Sequence, residues 1–321
     1  MRSFAPLCLL ACVSLASAAF AQDTTERLTR IIVPVGPGTA SDLIARTLAD
    51  EIHSVTGRTV IVDNKVGAGG GIAVAALKQS PPDGETLLLA ALAVPVLLPL
   101  AAGKTDYDST KDFAPVTQVG EYAVAYAVGP RNPATSLTEF ITWARAHPAD
   151  ASFASPGAGG LGHLFGVMIG QISGVELIHV PYKSSTQLAA ELMGGQVASA
   201  MGTVWDFIAL HRAGRIRIIG TSGGRRSTLT PEIPTFKEQG FPAVVGVGWL
   251  GLFAPANTPK AVVDRWSKLL RAALQKPAIH DKLIGLGVEP TGTTPETLAA
   301  IIVTDTARWK PIVKASGITV E

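Results

Sequence analysis

Segments with the pattern of β-strands alternate with segments of helical pattern along almost all of this 321-residue chain. Apolar runs predict strands at 28–35, 59–63, 86–91, 123–128, 176–180, 197–201, 216–221 and 249–254. Helical periodicity predicts helices at 41–56, 71–79, 137–147, 162–173, 185–193, 204–213 and 260–275. Such alternation is typical of mostly parallel sheets covered by helices, so we predict an α/β fold.

The pattern of the first residues indicates an export signal, not a segment of the folded protein. Arg2 precedes an apolar stretch over 4–19, and Ala19-Phe20-Ala21 has the small-x-small pattern of a cleavage site. We therefore expect residues 1–21 to be a signal peptide that is removed after Ala21. A lipoprotein cleavage box over 9–12 is the alternative.

The composition of the mature chain argues against several classes of function. Both cysteines lie within the predicted signal, so we expect no disulfide and no thiolate nucleophile. Without Arg2 the chain has 26 basic and 25 acidic residues and no basic stripe, which argues against a nucleic-acid partner. The histidines form no H-x-H or H-E-x-x-H group, so we expect no metal site.

A long apolar run covers residues 87–102. It has 16 residues, which is shorter than a membrane span, and Pro95 and Pro99 interrupt it. We expect a buried strand followed by a loop that faces a pocket.

A Pro- and Gly-rich loop joins the first predicted strand to the first predicted helix. The first N–H groups of a helix have no partner inside it, and the helix dipole makes that end partly positive. This arrangement predicts a binding site for a phosphate or a carboxylate, whereas an ordinary strand-to-helix turn is the alternative. The candidate ligand-binding residues are Gly36, Pro37, Gly38, Thr39, Ala40, Ser41 and Asp42.

A second Gly-rich loop also enters a predicted helix. If the two loops belong to different domains, two helix N-termini face each other across a cleft and hold one carboxylate from both sides. Tyr182 and Trp249 are further candidates for the wall of this cleft. The candidate residues of the second loop are Ser155, Pro156, Gly157, Ala158, Gly159, Gly160 and His163.

Two other glycine motifs suggest enzymes. Residues 66–71 resemble a dinucleotide fingerprint, but Ile72 stands where its third glycine belongs. Ser222 lies in a G-x-S-x-G sequence, with Asp264 and His280 downstream in hydrolase order. Because the residues after 224 have the pattern of a loop rather than a helix, a secreted serine hydrolase using Ser222 is the second choice.

Motifs spread over residues 30–319 resemble the substrate-binding proteins of tripartite tricarboxylate transporters, also called Bug receptors. The motifs are Val33-Pro34 with Pro37-Gly38 and Ser41-Asp42, Asn64 with 67–70, 82–84 with 86–88, 111–116, 179–183, 194–197, 213–214, 233–235 and 251–255. Each motif is weak alone, whereas the whole set is specific for the family.

The resemblance implies a periplasmic binding protein with two α/β lobes joined by crossing strands. It implies one lobe from 22–121 plus 249–321, another from 122–248, and a small carboxylate held by the loops at 34–42 and 155–163. The closed receptor would then deliver its ligand to a membrane permease. The resemblance implies no chemistry on the ligand, and we expect a monomer without a cofactor.

The cleft departs from the family pattern by losing polar groups. Ala40, Ala158, Gly160 and Gly202 stand where the family often has hydroxyl, polar or acidic side chains, and 91–95 is apolar where the family loop is polar. Buried polar groups of a ligand are rejected where they find no partner. We therefore expect a carboxylate with an apolar or aromatic body.

Overall fold

The computed structural model describes residues 28–103 and 105–319, which form two β-sheets with packed helices. The predicted signal peptide lies outside these residues. The strands are β1 (Thr29–Val33), β2 (Val60–Asn64), β3 (Thr86–Ala91), β4 (Phe113–Tyr122), β5 (Val124–Val128), β6 (Ser152–Pro156), β7 (Ile178–Tyr182), β8 (Ser199–Thr203), β9 (Arg217–Thr221), β10 (Gly248–Pro255) and β11 (Glu289–Pro290). The helices are α1 (Ala40–Thr56), α2 (Gly71–Lys78), α3 (Leu98–Ala101), α4 (Leu137–Ala146), α5 (Leu161–Ser173), α6 (Ser185–Met193), α7 (Val204–Arg212), α8 (Lys260–Leu274), α9 (Pro277–Gly285) and α10 (Pro295–Ser316). Among the described residues, no helix combines the length and apolar character that a bilayer crossing requires.

The two sheets share one arrangement of parallel strands. The first has the order β11-β4-β10-β3-β1-β2 and the second has the order β7-β6-β8-β5-β9. In the first sheet β1 pairs in parallel with β2 and β3, and in the second β6 pairs in parallel with β7 and β8. The unit β1-α1-β2-α2-β3 is therefore equivalent to β6-α5-β7-α6-β8, although the sequence shows no internal repeat.

The chain passes between the sheets at two neighbouring places. The strand β4 leads through Ala123 into β5, and the chain returns to β10 after Val247. Ser222 ties the crossings together, because its hydroxyl accepts the N–H of Val124 (3.0 Å) and donates to the carbonyl of Gly246 (2.7 Å). The helix α10 packs on β4 of the first sheet and on α5, a helix that covers the second sheet.

The predicted α/β class is confirmed, and the predicted helices all form with ends within one residue of those observed. One local prediction is wrong. Residues 93–101 form helical turns rather than a loop, and they bury Val94 and Leu97 against the hydrophobic core. This segment therefore contributes more to the core than to a cleft wall.

Candidate functional site

The first predicted anion loop is a tight turn between β1 and α1. Thr39 caps the helix, and its hydroxyl accepts the N–H of Asp42 at 3.4 Å and donates to the carbonyl of Gly36 at 2.9 Å. The N–H groups of Ala40 and Ser41 have no acceptor in the described part of the chain. Pro37, Gly38 and Thr39 are exposed. The helix start therefore offers free donors to solvent, as an anion site requires.

Asp42 does not face this opening. Its carboxylate is 1% exposed and accepts hydrogen bonds from the Gly38 N–H (2.9 Å), from Asn64 (3.0 Å) and twice from Arg46 (3.0 Å each). Burial raises the pKa of this carboxyl, but the hydrogen bonds from Arg46, Gly38 and Asn64 outweigh that effect and lower the pKa below 3.8. Asp42 therefore shapes the loop through its side chain, and direct contact between Asp42 and a ligand stays a prediction.

The second loop joins β6 to α5 in the same way. Gly160 precedes the helix in extended conformation, and no side chain caps it. The N–H of Gly157 donates to the carbonyl of Tyr182 (2.8 Å), which anchors the loop to the end of β7. Over the described ranges, the N–H groups of Gly160, Leu161 and Gly162 find no acceptor. This loop also presents free donors at the start of a helix.

Two histidines and a serine pack together below the second loop. The rings of His163 and His179 stack with centroids 3.6 Å apart and planes 13° apart. Ser155 is 1% exposed and lies 2.8 Å from Nε2 of His179, and its hydroxyl is 3.0 Å from the carbonyl of Gly157. Ser155 therefore supports the loop from inside, and its contact with a ligand stays a prediction.

Both imidazoles are held in the neutral form. Burial lowers the pKa of His163 to about 4. Burial, and then the proximity of His163, lower the pKa of His179 to about 4 as well. Nδ1 of His163 accepts the N–H of Gly159 (3.1 Å), so the proton of this neutral ring is on Nε2.

Trp249, a candidate for either the core or the cleft wall, is buried in the structure. Its indole is 2% exposed, and Nε1 donates to the carboxylate of Asp305 on α10 at 2.7 Å. The large aromatic side chain is buried where the first sheet meets α10, so it belongs to the core. Tyr182 is half-buried, and its established contribution to the loop is its backbone carbonyl.

Three residues that organise the loops were not predicted as site residues. Arg46 lies four residues after Asp42, a spacing at which opposite charges meet on a helix. Asn64 ends β2, and its backbone pairs with Val33 at the end of β1. His179 pairs with Phe153 across β7 and β6. The four-residue spacing of Arg46 from Asp42 could have predicted its role. The positions of Asn64 and His179 beside the loops depend on strand register, which the sequence does not reveal.

The hydrolase alternative based on Ser222 is not supported. Ser222 is fully buried, and its hydroxyl is occupied by Val124 and Gly246. Its expected partners lie elsewhere, because Asp264 pairs with Lys260 at 2.7 Å and His280 contacts Asp281 at 3.4 Å. The serine is a structural group at the crossing of the chain.

Replacing Ser222 with Ala is expected to lower the free energy of unfolding by about 1–3 kcal/mol, because the Val124 N–H and the Gly246 carbonyl lose a buried partner. Urea denaturation of the variant measures this loss. Ser80→Ala is the control, since the Ser80 hydroxyl bonds only to the carbonyl of Ala76 one helical turn earlier. An unchanged stability together with the loss of an esterase activity would contradict the structural role.

A family model described as the tripartite tricarboxylate transporter family receptor matches residues 44–318. A UPF0065 protein from the tcbD–tcbE intergenic region of Pseudomonas sp. (strain P51) is 32% identical over 88% of this chain and 84% of its own length. The protein BugT of Bordetella pertussis is 29% identical over 96% of this chain and 95% of its own length.

Solved structures with the same fold include periplasmic binding proteins. BugD has a TM-score of 0.83 at 28% identity and covers 91% of this chain and 98% of its own. The Rhodopseudomonas palustris protein Rpa4515 with adipate has a TM-score of 0.86 at 28% identity, with 92% and 99% covered. MatC from the same organism, with bound malate, has a TM-score of 0.81 at 26% identity, with 89% and 99% covered.

The matched family model spans most of the chain, and the fold is that of two-lobed periplasmic binding proteins, as the sequence motifs predicted. This chain therefore belongs to the family of tripartite tricarboxylate transporter receptors.

Proposed function

We propose that this chain is a periplasmic receptor that captures a small carboxylate between two lobes. The observation that carries the proposal is the pair of helix starts, α1 and α5, which follow equivalent strands of the two sheets and each keep free N–H groups. Backbone donors at helix N-termini are well suited to a carboxylate. Two solved relatives hold adipate and malate, which are both dicarboxylates.

The proposed mechanism is closure of the lobes on the ligand. We assign 22–121 plus 249–321 to the first lobe and 122–248 to the second. A ligand that contacts both helix starts binds the closed form better than the open form, and it shifts the population toward closure. The crossing strands beside Ser222 form the hinge of this motion.

The proposed ligand has an apolar or aromatic body. The side chains at the two helix starts include Ala40 and Ala158, and Gly160 has none. The one cationic side chain between residues 36 and 46, Arg46, is paired with Asp42. The site therefore offers backbone donors to a carboxylate and few side-chain partners to hydroxyl or amino groups of the ligand.

The proposed setting follows from the family. We infer that the chain is exported, that its signal peptide is removed after Ala21, and that it acts as a monomer in the periplasm. The closed, loaded receptor would deliver its ligand to the permease of a tripartite tricarboxylate transporter.

A thermal-shift screen of the mature chain from Gln22 should find the ligand class. A ligand at about 100 times its dissociation constant adds about 2.7 kcal/mol of stability, which raises the melting temperature visibly. Adipate, malate, citrate, glutamate, benzoate and phthalate are compared, with adipamide as the uncharged control for adipate. No shift with any acid would contradict the carboxylate receptor, and a response to citrate or glutamate alone would contradict the apolar ligand body.

A further inference from the structure

The two anion loops contain the same internal hydrogen bond. In the first, the N–H of Gly38 donates to Oδ2 of Asp42 (2.9 Å), and in the second the N–H of Gly159 donates to Nδ1 of His163 (3.1 Å). Both glycines have positive φ, 81° and 77°, which glycine adopts without strain. Each acceptor is the third residue of its helix. Asp42 and His163 therefore occupy equivalent positions.

The two acceptors differ in charge. Asp42 is negative, but Arg46 binds it through two hydrogen bonds and neutralises it. The helix α5 carries no lysine or arginine that could do the same for an acidic residue at position 163. An unpaired carboxylate beside the free N–H groups would repel a bound anion. A neutral imidazole supplies the acceptor without that repulsion.

The surroundings of His163 favour its neutral form. His179 stacks on one face of the ring, and the tilted ring of Phe153 lies close by, with its centroid 6.2 Å from that of His163 and 5.0 Å from that of His179. Burial is the cause of the lowered pKa of His163. The titratable groups on the elements packed around α5 and β7 are Tyr182 on β7, Glu191 on α6, and Glu296, Asp305, Arg308, Lys310 and Lys314 on α10.

We propose that His163 is the positioning residue of the second anion loop. Its neutral ring binds the Gly159 N–H, which holds the loop so that the N–H groups of Gly160, Leu161 and Gly162 stay free for the ligand. It does so without adding a charge beside the anion. This proposal rests on the proposed carboxylate-binding function.

Two variants of His163 distinguish the effect of its hydrogen-bond acceptor from the effect of its lack of charge. In His163→Asn the side-chain oxygen can replace Nδ1 as the acceptor and remains neutral, whereas in His163→Asp the acceptor is negative and α5 offers it no lysine or arginine. With adipate as the probe, calorimetric titration of the mature chain at pH 7.5 should give an affinity within about threefold of wild type for Asn, and at least about tenfold weaker for Asp. Melting temperatures of the ligand-free variants check that both are folded.

A second measurement needs no ligand. Nitrogen-15 NMR of the histidine rings should show His163 neutral, with its proton on Nε2, at pH 5.5. An unperturbed histidine, with a pKa of about 6.5, is mostly protonated at that pH. Hydrogen exchange should show the Gly159 amide protected in wild type and His163→Asn, and unprotected in His163→Leu.

Several outcomes would overturn the positioning role. These are an Asp variant that binds like wild type, an Asn variant as weak as Asp, a protonated His163 ring at pH 5.5, or a Gly159 amide that exchanges equally in wild type and His163→Leu. If wild type fails to bind adipate and every other acid in the screen, the proposed function fails instead. The ring and amide measurements then decide the role of His163 by themselves.

Discussion

Replacing Asp42 with Asn should lower the free energy of unfolding by about 2–3 kcal/mol and weaken carboxylate binding at least about tenfold. The Asn side chain keeps one acceptor oxygen, but its NH2 group faces the donors of Arg46 and Asn64. Hydrogen bonds to a charged acceptor contribute about 1.5–3 kcal/mol, and part of that is lost where a donor meets a donor. Because the Gly38 turn depends on this carboxylate, the free N–H groups of α1 lose their fixed direction.

Urea denaturation and calorimetric titration with the best acid of the screen measure the two effects. Asp50→Asn is the matched control, because it makes the same change at an exposed position of the same helix. The pKa of Asp42 is lowered by folding, so its contribution to stability is present above pH 3.8 and is lost as the pH falls through the lower folded value. The difference in free energy of unfolding between wild type and Asp42→Asn should therefore become smaller as the pH falls below 3.8. If Asp42→Asn and Asp50→Asn lost equal stability and equal affinity, the role of Asp42 would be contradicted.

The α/β class and the two Gly-rich loops that lead into helices could be predicted because they depend on local patterns. Short stretches of sequence determine an apolar strand, a Gly-rich turn or a capped helix, as Thr39 does at the start of α1. The helix α8 has one apolar face over its whole length, including Val263, Trp266 and Leu270, which are buried. The apolar periodicity of a helix is therefore enough to predict it where the helix packs on one surface.

The elements that were not predicted depend on distant contacts. Inside β4, a side chain at Gly120 would come within 2.6 Å of the carbonyl oxygen of Glu289, so the glycine that weakens the strand pattern is required by the approach of β11. The helix α10 packs on β4 and on α5 at once. Its buried residues Leu298, Ile302, Trp309 and Val313 recur at helical spacing, but apolar Val303 is 61% exposed, so the apolar pattern alone does not mark one face.

Within the site, the sequence located the loops but not the roles of their residues. Asp42 and Ser155 were expected to meet the ligand, and both are buried and occupied by the loop itself. The supporting groups Asn64 and His179 come from the neighbouring strands β2 and β7, and their proximity depends on strand register. A motif can therefore predict a candidate anion loop, whereas the hydrogen bonds inside the loop follow only from the fold.

The equivalence of the two helix starts leads to a sharp test at Ala40. Ala40→Pro should weaken carboxylate binding about 10–100-fold without destabilising the ligand-free receptor. Proline lacks the N–H group, so the variant removes one free donor, and a hydrogen bond to a charged acceptor is worth about 1.5–3 kcal/mol. Ala40 is the first residue of α1, a position that favours proline, and the chain already places Pro277 and Pro295 at the starts of α9 and α10.

The backbone around Ala40 accepts this change. Thr39 has φ −75° and ψ 160°, a conformation that residues before proline readily adopt. Ala40→Ser is the control, because it alters the side chain and keeps the N–H. Calorimetric titration of both variants gives the affinities, and thermal unfolding without ligand gives the stabilities. If Ala40→Pro binds as tightly as Ala40→Ser, the start of α1 does not hold the carboxylate; if it alone loses affinity at unchanged stability, the backbone donor is the group that binds.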